Sequence, residues 1–416
     1  MMSPGRKRRP SRRSAVGLLL ADALSVTENS VVGVVIPWLV LERTGNAALA
    51  GVVAAAAVGP LVLSALLGGA IIDRVGRKRV SMAADALSAL AVVAIPLADA
   101  AVGFNIGILI VLVALGAVFD GPGAGAREAL TFDVAADSGI SLERLTGLRE
   151  TLQGIGQLAG PGLAGLLIFA VGTLPALWVT SGLFVVALTV IGLTAPRIAL
   201  SFSAPAAERY WPSVRTGFVY LWRDRTLRAV ALVVGVILFF VAPLESIVLP
   251  AYFAREGDVR DLGLVLSAFA VGGIVGSLGY GLLARRIRRR PLLLGSLFAT
   301  ALTMGLLALL PGTPGLMVIA AFIGLVAGPI NPLTSVIMQE RTPDHLRGRV
   351  IGSINSLALA GAPVGLLIAG PLVEALGVAP TIILIAAGCL IAAFLAAASR
   401  GLRAADGGRP QPAADP

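Results

Sequence analysis

Residues 69–79 read Gly69-Ala70-Ile71-Ile72-Asp73-Arg74-Val75-Gly76-Arg77-Lys78-Arg79. Five charges of mixed sign are packed into a short connection between two long apolar segments. A plain basic loop would need neither Asp73 nor Gly76. The flanking segments set the class of the chain. Of its 416 residues, 57% are hydrophobic and 13% charged, against roughly 25% charged in soluble domains. Crossing a hydrocarbon layer takes about 20 apolar residues. Residues 151–196 and 291–339 each carry no charge at all, room in each for two crossings and a tight turn. The expectation is an all-α, polytopic membrane protein.

The single cysteine, Cys389, and single histidine, His345, exclude a disulfide within the chain and a Cys/His metal cluster. No metal, cofactor or catalytic residue is expected. The net charge of +10 raises the question of nucleic acid, but the basic residues lie in loops and tails, where they orient a membrane protein. Residues 1–13 carry Arg6, Lys7, Arg8, Arg9, Arg12 and Arg13. The apolar run after them is of spanning length, unlike the short core of a signal peptide. It reads as a cytoplasmic tail and a retained first helix, in preference to a nucleic-acid-binding arm. Arginine outnumbers lysine 31 to 2, a compositional hint of a high-GC bacterial genome.

Twelve spans are expected: about 15–41, 48–72, 80–101, 104–130, 146–170, 173–195, 228–252, 262–284, 291–311, 314–338, 349–372 and 377–399. With the N-terminus inside, thirty of the 33 basic residues fall on the cytoplasmic side, and only Arg43, Arg255 and Arg260 outside. That asymmetry puts both termini in the cytoplasm. The domain reading is a tail at 1–14, a six-helix bundle at 15–195, a linker at 196–227, a second bundle at 228–399 and a disordered tail at 400–416. The linker carries Trp211 and Trp222 among basic residues, which suits an amphipathic helix on the inner membrane surface. The chain also repeats. Shifted by 212 residues, Gly51 falls on Gly263, Gly69 on Gly281, and Arg77-Lys78 on Arg289-Arg290, while Asp73 falls on Arg285. Shifted by 205, Gly147, Gly156, Gly160 and Ala164-Gly165 fall on Gly352, Gly361, Gly365 and Ala369-Gly370. Two parallel six-helix halves explain both shifts.

Gly69, Asp73, Arg74, Gly76, Arg77, Lys78 and Arg79 resemble the loop signature of the major facilitator superfamily, with Ile71 where leucine is usual. Span 5 carries Gly147, Gly156, Gly160, Pro161, Ala164 and Gly165. Their spacing resembles the helix 5 signature of antiporters in that superfamily, with Ala164 in place of one glycine. The stretches at 36–41, 79–88, 243–246 and 346–352 further resemble Tap-type multidrug efflux pumps. The resemblance implies two pseudo-symmetric bundles with a substrate site between them. It also implies proton-coupled export of chemically diverse amphiphilic drugs across the bacterial cytoplasmic membrane, by a monomer. On the same resemblance, Asp73 pairs with Arg77 or Arg127, with Asp85 in the same network, and the cluster holds the halves together when the outer side is open. Arg285 would make the second copy of the loop behave differently. A lipid translocator or an importer of the same fold is the main alternative. A membrane enzyme is disfavoured by the lack of a nucleophile motif or an intramembrane histidine.

An acid inside a bilayer costs about 2.5–3.5 kcal/mol on insertion scales and usually faces a cavity or a partner. Asp22 and Glu28 in span 1, Asp120 in span 4 and Glu245 in span 7 qualify. At 100° per residue, Asp22, Ser25, Glu28 and Asn29 share an arc of about 120°. Each acid is either a proton carrier or a structural group bonded to a neighbouring helix. Glu28, near mid-depth, is the first choice of carrier and Glu245 the second, ahead of Asp22 and Asp120. Ser25, Asn29, Trp38 and Asn331 are the expected polar and aromatic groups of the substrate cavity. Residues 121–125 (Gly-Pro-Gly-Ala-Gly) and 328–332 (Gly-Pro-Ile-Asn-Pro) are either hinges or sites of close packing. The expected partners are thus an amphiphilic small molecule, protons and the lipid bilayer, with no nucleic acid.

Overall fold

A computed structural model describes residues 12–196, 210–256, 258–283, 288–343 and 346–403. The described residues form helices and short connections, with no strand among them. The first half comprises α1 (Arg12–Thr44), α2 (Ala47–Val75), α3 (Arg77–Val102), α4 (Ile106–Ser138), α5 (Leu142–Val171) and α6 (Thr173–Thr194). Then come α7 (Tyr210–Arg223), α8 (Arg225–Pro243), a π turn (Leu244–Val248), α9 (Leu249–Glu256), α10 (Val259–Leu283), α11 (Arg289–Leu306), α12 (Gly312–Ala327), α13 (Ile330–Arg341), α14 (Arg347–Leu359), α15 (Gly361–Leu376), α16 (Val378–Ala398) and α17 (Arg400–Arg403). Eleven stretches are long and apolar enough to cross a membrane among the described residues. The 29-residue α2 is the twelfth span.

The helices outrun the apolar windows. Span 4, expected to end near 130, continues as α4 to Ser138. Its last turns are polar but remain helical because Gly139, at φ 69, supplies the left-handed stop. Gly76 does the same job in the 69–79 stretch. Its φ of 96 turns the chain from α2 into α3 with no residue to spare, and a side chain there would be strained. The expected disordered tail begins differently. Residues 400–403 form α17, which docks on α8, with Thr226 Oγ1 donating to the Gly401 carbonyl at 2.9 Å.

The two proline-glycine runs part company. Around residues 121–125 α4 is continuous, and a side chain on Gly123 would collide with Ala84 of α3. The run is closely packed there, with no break in the helix. At Gly328-Pro329 the helix is interrupted between α12 and α13. Span 7 is also irregular. Pro243 has no N–H to donate, and the helix continues as the π turn that carries Glu245.

The repeat in the sequence is realised as packing. α5 of the first half lies on α10 of the second, and α15 lies on α2. Gly165 meets the backbone of Gly263, and Gly370 meets Ala47 and Ala48 beside Gly51. The shifts relate Gly51 to Gly263 and Gly165 to Gly370, so the two contacts, Gly165 on Gly263 and Gly51 on Gly370, are equivalent by the repeat, and they let backbones approach closely. All lie towards the end of the molecule remote from the 69–79 loop. At that same end Glu374 Oε1 accepts a hydrogen bond of 2.5 Å from the Ala47 N–H, so α2 is capped from the opposite half. Arg260 covers the ring of Phe169, 5.5 Å from its centre.

Gly165→Ala is expected to cost about 1–3 kcal/mol, the usual range for overpacking, seen as a lower melting temperature of the purified chain. Gly147→Ala is the control, since a side chain there has no atom within contact distance.

Candidate transport site

The first half buries a network of charges. Arg127 on α4 is 3% exposed. Its Nε donates to Asp22 Oδ1 on α1 at 3.1 Å, and its Nη1 donates to Asp85 Oδ1 on α3 at 2.8 Å. Arg149 on α5 donates from Nε to Asp22 Oδ2 at 2.9 Å, and Gln153 donates to the same oxygen at 2.6 Å. Four helices are tied through two carboxylates and two guanidinium groups. Such charges are tolerated away from water only when paired and hydrogen-bonded.

Glu28 stands apart from this network. It is 1% exposed. Neither of its carboxyl oxygens has a hydrogen-bond partner among the described residues. The charged groups that face it are Asp85, Arg127 and Asp120. Asp120 accepts a hydrogen bond of 2.8 Å from Ser88 Oγ.

The second half encloses a cavity of about 260 Å³. Its wall includes Val241, Leu266, Phe269, Met304 and Ile323. Glu245 is the only charged side chain among the lining residues, with Thr300, Asn331, Thr334 and Cys389 as the other polar ones. The π turn explains the position of Glu245. Loosening the helix by one residue per turn swings this side chain towards the cavity while its neighbours Ile247 and Val248 stay buried. The same turn packs against α1 and α2 of the other half.

Several sequence expectations change here. Asp22, expected among the proton-coupling acids, is held by two guanidinium groups and an amide. Asp120 is hydrogen-bonded rather than free. Trp38 is 6% exposed and belongs to the apolar core, away from the cavity wall. Ser25 is buried beside Asp85, and Asn29 is half-buried on α1. Asn331 does line the cavity.

The loop cations are committed within each half. Arg77 bonds Asp133 at 2.9 Å, and Lys78 Nζ donates to the carbonyls of Gly192 and Ala195 at the end of α6. In the second half Arg289 pairs with Glu340, and Arg290 donates to the Ala397 carbonyl at the end of α16. The expected pairing of Asp73 with Arg77 or Arg127 meets both cations bonded elsewhere, Arg77 to Asp133 and Arg127 to Asp22 and Asp85. The side chain of Asp73 and the whole of Arg285 lie outside the described residues, and Gly69 is described only as part of α2. Arg74 and Arg79 are exposed.

The helix 5 glycines serve two faces. Gly156 and Gly160 pack on Thr27 and Ser30 of α1, whereas Gly162 and Gly165 pack on Ser267 and Gly263 of α10. At 100° per residue, the two pairs point to roughly opposite sides of α5. Gly162 was missed by sequence reasoning, as were Arg149, Gln153 and Ser88. The four-residue spacing of Arg149 and Gln153 is a usable signal, because it puts two donors on one helix face.

The profile of the Major Facilitator Superfamily matches residues 18–257 and 244–415. The chain is 36% identical over 407 residues to the multidrug efflux pump Tap of Mycolicibacterium fortuitum, covering 95% of this chain and 98% of that protein. It is 37% identical over 385 residues to the multidrug efflux pump Tap of Mycobacterium tuberculosis, covering 91% of each. Among solved structures, the nucleoside transporter NupG superposes with a TM-score of 0.75 at 16% identity, covering 93% of this chain and 98% of that one. A D-xylose-proton symporter does so at 0.67 and 14% identity, covering 94% and 97%. Likeness at such low identity concerns the fold alone. Two helical halves related by an internal repeat and these matches agree: the chain belongs to the major facilitator superfamily and is a multi-pass membrane transporter.

Proposed function

We propose that the protein exports amphiphilic small molecules from the cytoplasm in exchange for protons, by alternating access. The observation that carries this is the apolar cavity whose one charged wall residue, Glu245, sits on a π turn packed against α1, the helix of Glu28. An apolar wall takes ligands by shape, and one carboxylate favours a cationic head group. The names of the two Tap relatives support the same reading. The distribution of basic residues supports an orientation with both termini in the cytoplasm. The glycine contacts, the Glu374–Ala47 bond and the Arg260–Phe169 contact then close the outer side. Opening outwards must break them, and this is the half of the cycle that proton entry would drive.

The test is efflux from proteoliposomes under an imposed pH gradient, with cationic drugs, neutral drugs and fluorescent lipids as cargo. Cationic amphiphiles should move only when the gradient is present. Glu245→Gln should weaken their binding roughly tenfold or more, the worth of a hydrogen bond to a charged group, and leave neutral cargo nearly unchanged. Transport of lipids alone, or drug efflux indifferent to the gradient, would refute the assignment.

A further inference from the structure

We infer that the cytoplasmic end of α8 and the start of α17 form a binding site for the head group of an anionic phospholipid. A cavity of about 350 Å³ lies there, lined by Arg225, Arg228, Ser399, Arg400 and Leu232. It is separate from the transport cavity and shares no residue with it. Three guanidinium groups converge on it from two helices that are distant in sequence. The docking of α17 on α8 creates the site. Thr226 bonds the Gly401 carbonyl, and a side chain on Gly401 would collide with the Arg225 carbonyl, so Arg400 is held beside Arg225 and Arg228.

Arg225, Arg228 and Arg400 enter no ion pair among the described residues. The neighbouring carboxylate, Asp224, caps α8 through Oδ1, which accepts from the N–H groups of Thr226 at 2.7 Å and Leu227 at 3.0 Å. Arg228 spends one nitrogen on the Trp222 carbonyl at 3.2 Å, which steadies its side chain.

The surroundings distinguish a lipid from a free anion. Leu232 lies seven residues into α8 from Arg225, about 10 Å along the axis at 1.5 Å per residue. It is 54% exposed on a helix that crosses the membrane, and so faces acyl chains. Trp222 is 55% exposed just before α8 begins, the level at which indole rings settle in a bilayer. The site therefore presents cations at head-group depth and an apolar wall directly below. Basic pockets at the cytoplasmic ends of membrane helices suit anionic head groups, which the guanidinium fork binds in bidentate fashion.

Native mass spectrometry of the full-length purified protein tests this, with phosphatidylglycerol and phosphatidylcholine of identical acyl chains. Phosphatidylglycerol should be retained preferentially, and each arginine replaced by glutamine should weaken retention roughly fivefold. The triple variant R225Q/R228Q/R400Q should lose the preference, and R225K/R228K/R400K should keep most of it. Should the triple variant fail to fold, Arg228→Gln alone provides the comparison. Equal retention of the two lipids by the wild type would overturn the inference. So would an unchanged preference in the glutamine variants, or displacement of the lipid by millimolar inorganic phosphate alone. Transport activity is not the readout, so failure here leaves the export reading standing.

Discussion

Glu28→Gln should abolish efflux driven by a pH gradient while leaving a folded protein that still binds neutral cargo. Glu28 is buried, and neither of its oxygens has a hydrogen-bond partner among the described residues. A carboxyl group held in this way contributes little to cohesion, so glutamine, of nearly the same shape, should be tolerated. Proton exchange requires a group that can take up and release a proton as water reaches it from one side and then the other. An intramembrane acid without a structural bond is the group able to do so. Its charge is felt by Arg127, Asp85 and Asp120, so a proton at Glu28 changes the balance of a network that joins α1, α3, α4 and α5. The measurement is drug efflux from vesicles under an imposed gradient, with counterflow of a neutral drug as the test of folding. Counterflow should persist while uphill efflux falls to background. If Glu28→Gln pumped at the wild-type rate and Glu245→Gln did not, the carrier would be in span 7.

Arg127→Ala should be the most destabilising single change in the first half. It removes hydrogen bonds to two buried carboxylates at once, at 3.1 Å to Asp22 and 2.8 Å to Asp85. Asp22 keeps Arg149 at 2.9 Å. Asp85 loses the only salt-bridge partner it has among the described residues. Breaking one side of a buried ion pair typically costs about 3–5 kcal/mol, because the remaining charge stays in a medium that cannot solvate it. A fall of that size should appear as low yield and a strongly reduced melting temperature. The double variant Arg127→Met with Asp85→Asn should recover much of the loss, since it removes the orphaned charge together with its partner. Recovery by the double variant is what separates a charge penalty from a simple loss of packing. A single variant as stable as the wild type would mean that the network carries no cohesion.

The set of membrane helices was legible in the sequence because it rests on local rules. Apolar length decides where a helix crosses, and Gly76 between two apolar runs decides a tight turn. The repeats at 205 and 212 residues already paired Gly51 with Gly263 and Gly165 with Gly370. What the sequence could not say is that these glycines meet across the two halves, because a shift in numbering carries no distance. The charged groups show the same division. Asp22, Glu28, Asp120 and Glu245 are all acids in apolar helices and look alike in sequence. Tertiary structure alone separates them. Arg127 and Arg149 lie near the ends of spans 4 and 5, and only when α4 and α5 are packed beside α1 do their guanidinium groups reach Asp22. Ser88 finds Asp120 from another helix, and a π turn swings Glu245 to a cavity wall. Glu28 and Glu245 alone among the four acids make no hydrogen bond among the described residues, Glu28 sealed in the first half and Glu245 on the cavity wall. Partnership of a buried charge is decided by what lies within about 3 Å in space, and helices adjacent in a bundle are often a hundred residues apart in the chain.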